Sequence, residues 1–289
     1  MTHHMNNMRL ITVHAHPDDE ASKGAALVAK YVDLGVEATL VCCTGGELGS
    51  ILNPVMDTPE VLENLASVRR AELAASASII GFDRVEMLGF LDSGMPESEG
   101  NDNPENFANA DLDDAVSRLT RIIREVRPQV MITYSDDQGG YPHPDHLRTH
   151  EVSIEAFKRC GDASYRPDLG EPWKISKVYY NVWSRVRAHV QHEVIESKGM
   201  KSPFTPEWLE RFNQDDRITT KVDVGEYLHI RDDALRAHAT QVDPAEPFWF
   251  GVTPEEMAQR YPWDDYILAF SNGDFAVPEA DLFAGLDAP

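Results

Sequence analysis

The sequence predicts an α/β fold: a Rossmann-like, mostly parallel sheet with helices on both faces, built as a single domain with a C-terminal elaboration. Three observations predict it. Short β-prone apolar runs alternate with helical stretches from residue 8 to residue 160, the order of a parallel sheet covered on both faces. Residues 38–43 read as a continuous apolar run, as a strand buried on both sides must. Two unusual histidine segments each follow directly on a predicted strand, and open α/β sheets hold ligands beyond the carboxyl ends of their strands.

The elements follow in order. Leu10-Ile11-Thr12-Val13 is a β-prone run, and the helical pattern after it carries Ala25, Ala26, Leu27, Ala29 and Val32 before stopping near Gly35. The run at 38–43 breaks at Thr44-Gly45-Gly46-Glu47, and residues 59–80 read as one helix ending at Gly81. Residues 85–88 form the third predicted strand, followed by the loop Asp92-Ser93-Gly94. Residues 111–126 place Leu112, Val116, Leu119, Ile122 and Ile123 on one side of a helix that Pro128 ends. Residues 130–134 form a fourth strand, and a glycine-rich loop leads through Tyr141 to a helix running to about residue 157. Beyond 160 the pattern weakens. Residues 177–182 read as a fifth strand, 184–217 as a charged stretch without a clear element, 222–230 as a strand and 232–240 as a helix. No linker separates the halves, so residues 1–160 are expected to form a catalytic core, with 161–289 adding strands, helices and a lid to the same domain.

Composition narrows the function. Lys plus Arg number 26 against 49 Asp plus Glu, a formal net charge of −23. That excludes a nucleic-acid backbone and disfavours an anionic membrane surface as partner, because both need a basic face. A small molecule remains the expected partner, and a homo-oligomer is open. No run approaches the ~18 apolar residues of a membrane span, and residues 1–9 offer no signal-peptide core. Cys42, Cys43 and Cys160 are odd in number, with Cys42 and Cys43 adjacent on one strand, so they suit a reducing cytoplasm and buried packing better than a disulfide framework. A dinucleotide-binding oxidoreductase needs a glycine fingerprint after the first strand, and His14-Ala15-His16-Pro17-Asp18-Asp19 has none.

The chemistry concentrates in His16-Pro17-Asp18-Asp19 and His143-Pro144-Asp145-His146. Either segment alone is an ordinary turn. Two of them at the ends of parallel strands would gather more buried charge than a protein tolerates without a compensating cation. His16, Asp19 and His146 give two imidazoles and one carboxylate, the ligand count of a catalytic zinc site with an open position. Ferrous iron fits the same set. Asp18 is then placed as general base. His14 is expected beside the site or in the core, and His150, one turn after His146, is a weaker fourth-ligand candidate.

These motifs resemble the LmbE-like (PIG-L) superfamily of metal-dependent N-deacetylases. Thr44-Gly45-Gly46-Glu47, Arg69-Arg70-Ala71-Glu72-Leu73, Asp92-Ser93-Gly94 and the stretch from Arg231 to Gln241 resemble its actinobacterial mycothiol branch. Ser22-Lys23-Gly24-Ala25 and Ile51-Leu52-Asn53-Pro54 are most similar to the conjugate amidases of that branch. The resemblance implies a zinc-dependent amidase that cuts the bond between N-acetylcysteine and glucosamine in mycothiol S-conjugates, in detoxification. The alternatives it implies are the N-acetylglucosaminyl-inositol deacetylase of mycothiol biosynthesis, or an amidase dedicated to one mycothiol adduct of an antibiotic pathway. It gives His143 and Tyr141 the role of stabilising the oxyanion or protonating the leaving amine, and Asp145 that of tuning an imidazole. Glu47, Arg69 and Asp92 match sugar contacts. Lys23 is placed either on substrate or on a nearby acid, and the resemblance favours substrate. Phe204, Trp208 and Phe212 are read as ordinary packing.

Overall fold

A computed structural model describes residues 5–138, 141–211 and 214–287. Its strands are β1 (Arg9–His14), β2 (Glu37–Thr44), β3 (Arg84–Phe90), β4 (Val130–Tyr134), β5 (Lys177–Val182), β6 (Thr220–Asp223) and β7 (Trp263–Ser271). The helices are α1 (Asp19–Ser22), α2 (Ala25–Asp33), α3 (Pro59–Glu63), α4 (Leu65–Ile80), α5 (Leu112–Val126), α6 (Pro144–Cys160), α7 (Arg185–Ser197), α8 (Pro206–Leu209), α9 (Leu228–Ala237), α10 (Pro247–Phe250) and α11 (Pro254–Arg260). One sheet takes strands from both halves of the chain, in the order β3-β2-β1-β4-β5-β7-β6. The first five are parallel, while β7 runs antiparallel to both β5 and β6.

Alternate residues of the central strands serve opposite faces. Leu10, Val130, Ile132 and Tyr179 pack with α2, α7 and α9. Ile11, Val13, Met131, Val178 and Tyr180 pack with α5 and α6. Leu40 and Cys42 meet Leu73 and Ala77 of α4. Both core faces therefore seal the middle of the sheet and leave the carboxyl ends of its strands open.

Several expectations are corrected. The helix over 59–80 is two, α3 and α4, joined at Asn64. The expected strand at 222–230 stops at Asp223, because β6 pairs with β7 over four residues only. The chain then turns and Leu228 opens α9, earlier than the expected helix at 232. The charged stretch 184–217 contains α7, whose Ala188, Val194 and Ile195 are buried. The strand β7 escapes a reading by composition because it carries Asp264 and Asp265 in its buried span. Those acids are matched only in three dimensions, by Arg187 at 2.8 Å and by Ser184 and the Tyr261 hydroxyl. Cys42, Cys43 and Cys160 are free and buried, and burial pushes their thiols up, Cys160 to about 11.

Candidate active site

Two loops bring the donors together. After β1 the chain turns through Pro17 and starts α1 at Asp19. After β4 it reaches His143, whose Nδ1 accepts the Asp145 backbone N–H at 3.1 Å and so caps α6, with Pro144 in the first turn. A proline is favoured there because that N–H has no helical partner. Asp19 Oδ2 then lies 3.5 Å from His16 Nδ1 and 3.5 Å from His146 Nε2, and all three residues are buried.

What surrounds this trio orients it. His16 Nε2 donates to Asp145 Oδ2 at 3.1 Å, which turns Nδ1 toward Asp19. A carboxylate on the far nitrogen is the usual partner of a metal-site imidazole. Asp145 is itself held by the Ser93 amide at 3.0 Å and by the Ser93 hydroxyl. Asp19 Oδ2 accepts the Tyr134 hydroxyl at 2.6 Å and the His16 amide at 3.0 Å, while Lys23 Nζ binds its other oxygen.

The electrostatics describe a cluster short of positive charge. Burial opposes ionisation of Asp19, yet Lys23 and His146 hold its carboxyl well below the usual range. Burial works against protonation of His16, but Asp145, Asp19 and Asp92 raise it well above an ordinary imidazole. Burial lowers His146 to about 3, leaving it neutral and able to ligate. Three buried carboxylates thus crowd one imidazole, and a divalent cation is the compensation that two imidazoles and a carboxylate are built to take.

Asp18 lines the cavity beside this set. Its φ is +107° and its ψ −23°, a conformation that a non-glycine residue rarely adopts. Its amide donates to Glu20 Oε2 at 2.9 Å, and its carboxylate receives Arg69 Nη2 at 2.9 Å. Burial raises the Asp18 carboxyl, against the pull of Arg69. Glu20 is in turn held by the Ser76 hydroxyl and by His238 of the loop after α9. The sequence reading assigns no role to Glu20 or His238. Only the fold brings them together, and the nearest signal in the sequence is an acid adjoining Asp19.

Arg69 is 2% exposed. It also donates to the Pro17 carbonyl at 2.5 Å and to Gly46 O. A Cβ at Gly46, whose φ is +64°, would stand 2.2 Å from Arg69 Nη1. Gly46 and Gly49 therefore leave the channel for this guanidinium. Asp92 accepts the Gly94 and Leu48 amides at 2.8 and 3.2 Å and lies 3.6 Å from His16. Glu47 is not among the residues lining the cavity; its carboxylate accepts the Asp92 amide at 2.9 Å. Lys23 lines the cavity while pairing with Asp19.

Tyr141 lies over the histidines, its ring 5.4 Å from that of His146 and 6.0 Å from that of His143, with its hydroxyl 3.0 Å from the Met95 sulfur. Burial and the charge of His16 lower His143. His14 borders the cavity but lies outside the donor trio, and outside the second cluster of His16, Asp92, His143 and Asp145 beside it. His150 hydrogen-bonds the Tyr134 carbonyl at 3.0 Å instead of joining the donors. Phe204 is core, but Trp208 lines the cavity, contrary to its reading as packing alone; Phe212 lies outside the described residues.

Fold and site together define an open, mostly parallel α/β protein with a buried His/His/Asp set, fit to hold a cation, at the strand ends. The chain belongs to the PIG-L family, whose profile, described as GlcNAc-PI de-N-acetylase, matches residues 11–157. It is 45% identical over 97% of its length, and 98% of the relative's, to the mycothiol S-conjugate amidase of Streptomyces coelicolor. It is 38% identical over 96% of its length, and 98% of the relative's, to the 1D-myo-inositol 2-acetamido-2-deoxy-alpha-D-glucopyranoside deacetylase of Geodermatophilus obscurus. Its fold is similar to that of the N,N'-diacetylchitobiose deacetylase of Pyrococcus horikoshii (TM-score 0.62, 20% identity, covering 89% of this chain and 82% of that one). The family and its relatives make this chain an enzyme that hydrolyses amide bonds. Among the described residues no helix is long and apolar enough to cross a membrane.

Proposed function

We propose that this chain hydrolyses the amide between N-acetylcysteine and glucosamine in mycothiol S-conjugates, releasing a mercapturic acid and glucosaminyl-inositol. The observation that carries the reading is the near full-length 45% identity to a mycothiol S-conjugate amidase, against 38% to the deacetylase of Geodermatophilus obscurus. His16, Asp19 and His146 would hold a zinc ion, with ferrous iron as the other metal that suits the set. When bound, that ion supplies Lewis acidity toward the attacking water and the scissile carbonyl.

The protein's own residues supply the rest. Asp18, paired with Arg69 and with its pKa raised by burial, lines the cavity and takes the proton of the attacking water. His143 receives the Asp145 amide on Nδ1, so in its neutral form Nε2 carries the proton. That N–H donates a hydrogen bond to the developing oxyanion, and the proton taken by Asp18 passes to the leaving amine. Tyr141, itself half exposed, lies over the same two rings and is placed to assist His143 at the oxyanion. Asp145 holds His16 in orientation. Asp92, Arg69 and Lys23 meet sugar hydroxyls, and Glu47 acts through Asp92.

The deciding experiment offers metal-replete protein the bimane conjugate of mycothiol and, in parallel, N-acetylglucosaminyl-inositol. Faster cleavage of the conjugate is expected. Faster release of acetate would move the chain to the biosynthetic deacetylase reaction.

A further inference from the structure

The cavity measures about 600 Å³. That is room for a drug-sized ligand, far beyond an acetyl group. Its walls differ from end to end, and the strand order explains why. Asp92 follows β3, and Arg69 reaches in between the ends of β1 and β2 through Pro17 and Gly46. The donor trio and Asp18 stand beyond β1 and β4. Trp183 follows β5 and meets an aromatic wall built by α8 and α10. From β3 to β5 is four strand spacings, roughly 19 Å. The polar, catalytic and aromatic zones are therefore ordered across one cleft.

The aromatic wall is Trp183, Trp208, Phe248 and Trp249. Ring centroids lie 5.6 Å apart for Trp183 and Phe248, 5.8 Å for Trp208 and Phe248, and 6.0 Å for Trp183 and Trp208. Phe204, only 1% exposed, backs the group at 4.7 Å from Trp208 and 5.3 Å from Phe248. The four lining rings themselves remain half-buried on the cavity side. Gln214 borders this end, but its amide is engaged by Ser135 at 2.6 Å and by the Asp137 carbonyl at 2.9 Å. Phe204 is sealed behind them, while these four rings line the cavity. A concave aromatic surface continuous with a catalytic cavity matches a flat apolar ligand group.

We infer that the substrate is two-sided, with a hydroxylated half over β2 and β3 and a flat aromatic substituent against Trp183, Trp208 and Phe248, the scissile amide between them. This rests on the reading above, which makes the hydroxylated half the amine side. The aromatic group then belongs to the acyl side, so the enzyme selects aryl-bearing over small alkyl S-substituents.

The test compares kcat/KM for S-benzyl and S-methyl conjugates of mycothiol in the wild type, Trp208→Leu and Phe248→Leu. The wild type is expected to favour benzyl by roughly tenfold, and each variant to lose most of that preference. A second readout needs no turnover: S-benzyl-N-acetylcysteine should quench tryptophan fluorescence saturably, S-methyl-N-acetylcysteine should not, and Phe248→Leu should weaken the quench. Cleavage of both conjugates at equal efficiency, or equal losses on both in the variants, overturns the inference and leaves the amidase reading standing. Acetate release with neither conjugate cut would defeat the amidase reading. In that event absence of the quench overturns the aromatic site as well, and a saturable quench supports it.

Discussion

The two halves of the chain do different work at one cavity. Residues up to 160 supply the cation donors, Asp18 and His143, all on the loops that leave parallel strands or in the first turn of the helices that follow. Residues beyond 160 supply no cation donor among the described residues, yet they build the aromatic wall and send His238 under the catalytic loop. The first half holds the reacting groups by short-range geometry, such as the His143 cap on α6 and the Asp19 contact with the His16 amide. The second half acts at long range, through Trp183, Phe248 and the His238–Glu20 pair. Each donor loop is thus shaped locally, while the convergence of the two loops on Asp19 and the aromatic wall are both assembled by the fold.

Perturbing each half tests that division. His146→Ala should abolish metal binding, measured by elemental analysis, and with it all turnover; chelation of the wild type should do the same, with recovery on adding zinc or ferrous iron. Retention of stoichiometric metal in His146→Ala would displace it from the ligand set. Asp18→Asn should lower kcat by about 10²–10⁴-fold with metal content intact. Wild-type turnover in that variant would assign the base elsewhere.

The link between the halves comes next in size. His238 and Glu20 have fully buried side chains. Glu20→Ala leaves His238 and Ser76 without their acceptor, and should cost about 3 kcal/mol in chemical denaturation. Because Glu20 also holds the amide of the left-handed Asp18, kcat should fall in the folded variant, with Glu20→Gln recovering part of it. A stable, fully active Glu20→Ala would mean that Asp18 keeps its conformation unaided. As a baseline, Arg217→Ala removes an exposed pair with Asp136 and should change stability by about 0.5 kcal/mol or less.

Much of this was legible in the order of residues. Periodicity places β1, β2, β4 and β5 and the helices between them, because strands buried on both faces read as apolar runs. His16, Asp19 and His146 are recognisable because two imidazoles and a carboxylate at strand ends demand a cation. The miss at β7 has a physical cause: Asp264 and Asp265 look like surface residues until Arg187 and Ser184 are placed beside them. Trp208 shares its type with core tryptophans, and only the cavity in front of it separates the two roles.

By itself, then, the sequence determined the parallel core and the donor chemistry, since both depend on residue type at short spacing along the chain. The tertiary structure decided which donors converge on Asp19, that Glu20 and His238 brace Asp18, and that the cleft runs from polar to aromatic. Those depend on strand order and on contacts between residues more than 200 positions apart, such as His238 and Glu20. No local pattern carries them, because the fold alone sets which distant side chains share one buried space.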